Sequence, residues 1–161
     1  MKTLSKYSLG VGDRFSHEGK AQLKAIMKAN KAGLEIVPVW NKSNREHTYV
    51  HSTPVDTRKE ADEAVKALGY KGQYLVDADH INLNTVAPFV PVSDFFTLDV
   101  AAYIGKESPK TEIEAFLSSC QKYIGRLSIP GMAEPLDITR ELIEEIAGKF
   151  LSATQQASEI Y

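Results

Sequence analysis

Two carboxylates and a histidine crowd the stretch QYLVDADHINL, from Gln73 to Leu83. Imidazole and carboxylate together suit zinc, manganese or iron, and a carboxylate beside such an ion can serve as a general base. Asp77, Asp79 and His80 are therefore candidates for a divalent-metal site with its own base. The spacing D-x-D-H has no strict ligand geometry of the H-E-x-x-H kind, so a hydrogen-bonded strand end and turn or helix capping also fit these residues. Two other stretches offer polar groups of the same sort. Asp13, Arg14 and His17 form one, and Asn41, Asn44, Arg45, His47 and His51 the other. Arg14 and Arg45 can each grip a substrate carboxylate with two parallel hydrogen bonds, or pair with surface acids. Asp13, Asn41, His47 and Asp77 are further candidates for binding substrate, and Lys42 reads as a solvated side chain.

The elements that must position these residues follow from periodicity. Gln73 to Ala78 reads as a short buried strand bounded by Gly69 and Gly72. Side chains alternate along a strand, so Asp77 and Asp79 share a face and His80 takes the other unless the strand has broken. Tyr7 to Val11 is a first strand, and Gly19 to Ala32 an amphipathic helix stopped by Gly33. Leu34 to Trp40 is a second strand, with Pro38 placing its later half near an edge or end. A polar loop follows over residues 41–56. Asp56 or Thr57 caps a helix ending at Leu68. Strand and helix thus alternate as βαβαβ, and strand ends in such parallel sheets are where ligands collect.

Beyond Leu83 the pattern predicts helices only: from Ser93 or Asp94 to about Ile104, from Ser108-Pro109 to about Ile124, and from Asp137 towards the end. The fold class is α/β, a parallel βαβαβ start of a (β/α)8 TIM-like barrel over 1–105, followed by a helical segment over 106–161. Three strands cannot close a barrel, which needs eight strands and about 250 residues. A fragment of a longer chain is therefore expected, and the open edge of the third strand predicts self-association.

Composition excludes other classes. The 161 residues carry 19 basic and 21 acidic side chains spread along the chain, so no basic footprint for nucleic acid exists. No apolar run approaches the roughly 20 residues of a membrane span, and the start lacks a signal peptide's apolar core, which predicts a cytoplasmic protein. Cys120, the single cysteine, reads as a buried or half-buried thiol. GVGDRF has two glycines of a dinucleotide fingerprint and no third, so a nicotinamide cofactor is not expected.

The segments YSLGVGDRFSHEGKAQLKA, VPVWNKSNREHTYVHSTP and QYLVDADHINLNTVAPFV resemble the amino-terminal part of the tagaturonate epimerases. These bacterial enzymes interconvert D-tagaturonate and D-fructuronate with a divalent metal. The resemblance covers most of the chain and is strongest from Tyr7 to Ile104. It implies that Asp79 is the proton acceptor and His80 a metal ligand, with the other ligand histidines and the proton donor in sequence absent here. A non-catalytic sugar-acid or metal-binding α/β module is the alternative.

Overall fold

A computed structural model describes residues 5–161. The chain divides into two compact units, the first ending at Leu98 and the second beginning at Asp99.

In the first unit, four parallel strands lie in sequence order: β1 (Tyr7–Val11), β2 (Ile36–Ser43), β3 (Leu75–Ile81) and β4 (Phe95–Leu98). Helices α1 (Gly19–Lys31) and α3 (Pro54–Leu68) make the crossovers, with a short α2 (Asn44–Val50) between β2 and α3. One face of the sheet meets the helices. There Trp40 and Val76 pack with Leu23 of α1 and Ala61 and Ala64 of α3. Val37, Val39 and Leu75 cluster on the opposite face, as alternation along each strand requires. Asn30 fixes the join of α1 to β2, its side chain bonding both the N–H and the C=O of Ile36 at 2.7 and 2.9 Å.

Several expectations change here. A fourth strand exists, and β4 covers the edge of β3 that was expected to stay open. Among the described residues, the unpaired edges of this sheet are those of β1 and β4. The helix expected from Ser93 or Asp94 does not form, because Asp94 is engaged elsewhere. Its carboxylate takes the Val76 N–H at 3.2 Å and pairs with the Arg58 guanidinium, tying β4's entrance to β3 and α3. Pro38 sits buried inside the sheet, not at an edge. Pairing with β3 begins only at Val39, so β3 has no need of the missing proline N–H.

The polar loop over 41–56 instead holds α2. Ser43 and Glu46 form a reciprocal capping box, Glu46 N–H to Ser43 Oγ at 3.3 Å and Ser43 N–H to Glu46 Oε2 at 3.1 Å. Thr53 and Asp56 form the same box at α3, with Pro54 in the first turn, so the cap is Thr53 and not Asp56 or Thr57.

The second unit holds α4 (Lys110–Cys120), an antiparallel pair β5 (Gly125–Leu127) and β6 (Leu136–Ile138), and α5 (Arg140–Ile160). Thr139 caps α5, accepting the Leu142 N–H at 3.1 Å, whereas Asp137, the expected start, lies in β6. Among the described residues, no helix is long and apolar enough to cross a membrane.

Candidate functional site at the strand ends

The carboxyl end of β3 departs from regular strand geometry where its polar residues lie. Pairing with β4 shifts register between Ala78 and Ile81, and His80 takes the left-handed region at φ 53°. A non-glycine residue held there is strained, and such strain collects at functional sites. The turn swings the imidazole back onto its neighbour: His80 Nδ1 lies 2.7 Å from Asp79 Oδ1. A carboxylate can only accept, so Nδ1 carries a proton and Nε2 is the ring nitrogen left for another partner. The His80 side chain is 65% exposed and that of Asp79 18%. An imidazole oriented through one nitrogen by a carboxylate is how proteins prepare the other nitrogen for a metal.

Asp77 shares the sheet face of Asp79, as alternation predicts, but it is 6% exposed. Thr97 Oγ1 of β4 donates to its Oδ2 at 2.8 Å, while Oδ1 is buried without a hydrogen-bond partner. Burial pushes the Asp77 carboxyl up, and the nearby charge of Asp79 adds to this against the opposing Thr97 bond. Asn41 stands in register with Asp77 across β2 and β3. Beside it the glycines of the β1 end leave room for close approach: a Cβ on Gly12 would lie 2.4 Å from the Asn41 carbonyl oxygen.

The other predicted residues separate into groups. Asp13 is turned onto its own loop, accepting the amides of Phe15, His17 and Glu18 at 3.0, 3.2 and 2.9 Å. Burial raises its pKa, but these amides outweigh burial and hold it below the usual carboxylate range. Arg14 is exposed, its guanidinium 5.8 Å from the centroid of the Tyr49 ring. Arg45 is exposed on α2, as is His51 at its left-handed C-cap. His47 is 3% exposed, its Nδ1 bonded to Ser52 Oγ at 2.9 Å and its ring 5.7 Å from that of Phe89. Burial, reinforced by Lys42, pulls the imidazole down to about 4, so it is neutral in the fold. Lys42 is 2% exposed rather than solvated, with Nζ 3.4 Å from Ser16 Oγ.

The geometry thus brings together Asp77, Asp79, His80 and Asn41, and turns Asp13 and His47 into scaffold. Thr97 was missed in the sequence because its stretch reads as a capped helix. A test of the donors for a metal gives a partial fit. His80 Nε2 could serve as one ligand, but no three His, Cys, Asp or Glu side chains among the described residues converge to hold an ion.

The tagaturonate epimerase (UxaE) family profile matches residues 1–127. The chain belongs to this family. Its fold matches the crystal structures of the fructuronate-tagaturonate epimerase UxaE from Cohnella laeviribosi. TM-scores are 0.77 with one glycerol bound, 0.75 for the native form and 0.76 with two glycerols. Each match is at 18% identity and covers 96% of this chain and 34% of the solved one. The chain therefore spans about a third of the length of those enzymes, and its β1–β4 sheet is an α/β partial barrel. No curated protein matches it.

Proposed function

We propose that this chain carries the proton-accepting corner of an epimerase, an isomerase that interconverts D-tagaturonate and D-fructuronate at carbon four in cytoplasmic hexuronate catabolism. The observation that carries this reading is the Asp79–His80 pair on the distorted end of β3. His80 is then one ligand of a divalent zinc, manganese or iron ion whose other ligands lie outside the described residues. When bound, such an ion supplies Lewis-acid polarisation of substrate oxygens.

The two sugar acids differ at a carbon whose hydrogen is not adjacent to the carbonyl at carbon two, so enolisation cannot invert it. A retro-aldol route can. With Oδ1 engaged by His80, Asp79 Oδ2 takes the proton of the hydroxyl on carbon four. The bond between carbons three and four breaks, its electron pair stays with the carbon-three fragment as an enediolate, and carbon four becomes an aldehyde. The aldehyde turns over, carbon three re-adds to its other face, and Asp79 returns the proton. Arg14 or Arg45 holds the substrate carboxylate so that the two halves stay aligned. Asn41 and Asp77 meet substrate hydroxyls from the floor of the site.

The second reading is a non-catalytic sugar-acid or metal-binding module; of its two forms, the lack of three convergent ligands among the described residues favours the sugar-acid one. Incubation of the protein with D-tagaturonate and each divalent metal separates the two. An epimerase forms D-fructuronate and stops when the metal is chelated. Saturable binding of the sugar acid with no conversion sinks the epimerase reading.

A further inference from the structure

Two arginines at the rim are open to the same task in the reading above, and the fold treats them differently. Arg45, in the first turn of α2, is exposed and has no hydrogen bond, ion pair or ring contact among the described residues. Arg14 is exposed too, yet its guanidinium lies over the Tyr49 ring, 5.8 Å from the centroid. The two partners come from different strand ends, Arg14 from the turn after β1 and Tyr49 from the helix after β2. Because β1, β2 and β3 run parallel, both stand on the rim that carries Asp79 and His80.

Each side of this contact rests on fixed backbone. Asp13 gathers the amides of Phe15, His17 and Glu18, which sets the turn that carries Arg14. The Ser43–Glu46 box sets the start of α2, and Tyr49 follows Glu46 by three residues, on the same helix face. The charge of Arg14 is felt at Glu46, but that carboxylate is bound to Ser43, and Arg14 has no ion pair among the described residues. Tyr49 is 77% exposed and makes no hydrogen bond there, with Arg14 as its one ring partner. We propose that Tyr49 is a positioning residue whose ring holds the Arg14 guanidinium at the rim, which makes Arg14, not Arg45, the cation that meets the substrate carboxylate. A ring orients a guanidinium without neutralising it, so its fork stays able to take a carboxylate through two parallel bonds. An acid partner would occupy that fork. A side chain ordered before binding also has less freedom to lose, whereas Arg45 must be immobilised as the ligand arrives. The use of Arg14 on a sugar acid rests on the reading above; its contact with Tyr49 does not.

Proton NMR of the full chain tests the contact. The ring current is expected to move the Arg14 δ-methylene resonances upfield of those of Arg45. Tyr49→Phe keeps this shift and Tyr49→Leu abolishes it. Arg14 resonances that stay in place in Tyr49→Leu overturn the proposal. Calorimetric titration with D-tagaturonate and a divalent metal then tests the use. Tyr49→Leu is expected to weaken binding about two- to fivefold, while Tyr49→Phe binds as the wild type does. Arg14→Met weakens it further, and adding Tyr49→Leu to Arg14→Met costs nothing more, since the ring acts only through Arg14. The same loss from Tyr49→Leu in both backgrounds, or a larger loss from Arg45→Met than from Arg14→Met, overturns it. A wild-type chain that binds no sugar acid sinks the reading above and the use of Arg14 with it, while the NMR shift still decides whether Tyr49 holds Arg14.

Discussion

The ends of β1 and β2 carry as many polar groups as the end of β3, yet they use them differently. Asp13 takes three amides of its own loop, Ser43 and Glu46 cap α2, and His47 is buried against Ser52 and Phe89. Asp13, Ser43 and Glu46 spend their hydrogen-bonding capacity on the loop and helix start they support. At the end of β3, by contrast, Asp77 has one oxygen buried without a partner, and His80 turns one nitrogen inward to Asp79 and leaves the other for another partner. The difference is one of access: His47 Nε2 is also buried without a partner but sealed inside the fold, whereas the spare nitrogen of His80 belongs to a side chain that is 65% exposed. A cluster of polar residues in a sequence says nothing of this division until the backbone is in place.

The sharpest way to break that comparison is at Asp79. Asp79→Asn keeps the shape and loses the base, so turnover is expected to drop by about 10²- to 10⁴-fold with unfolding behaviour unchanged. An equal loss of turnover from Asp13→Asn through the chemical step would erase the distinction between the two ends.

His47 supplies the next largest effect, and it acts on stability. Its folded pKa of about 4 lies below the ordinary imidazole value of 6.5, so the fold binds fewer protons than the unfolded chain between these values. Stability from this group is complete above about pH 6.5 and is lost as pH falls to about 4, by at most roughly 3 kcal/mol. Denaturant titrations of wild type and His47→Gln across this window should show a pH slope in the first and a flatter line in the second.

Thr97→Val removes the hydroxyl bonded to Asp77 and leaves its buried carboxyl only the Thr97 backbone amide, at a cost of about 1 kcal/mol. Chemical unfolding measures it, and Thr97→Ser should restore most of the loss. Equal in size is Ser43→Ala, which opens a capping box and costs about 1 kcal/mol with no direct effect on chemistry.

Much of the first unit was legible in the sequence. Alternation marked β1, helical spacing and Gly33 marked α1, and the apolar run into DADH marked β3. What was missed has physical causes. Seven residues, five of them polar with only Tyr49 and Val50 at the end, gave α2 no apolar stripe to read, although Ser43-x-x-Glu46 and Thr53-Pro-x-Asp56 spell capping boxes that would have placed both helix starts. Ser93-Asp94 imitated a helix cap ahead of β4, when Asp94 is held by Arg58, 36 residues away. β5 and β6, with three residues each, are too short to show a period. Asp79 and His80 were visible as candidates, but their mutual bond depends on a positive φ at His80 that nothing in the local sequence announces.

The central claim is that Asp79 begins carbon–carbon cleavage at carbon four. Its most direct test is to follow D-tagaturonate with the protein and a divalent metal in D₂O by proton NMR. The retro-aldol account predicts D-fructuronate that retains protium on carbon four, and none from Asp79→Asn. Deuterium appearing at carbon four, or undiminished conversion by Asp79→Asn, would contradict it.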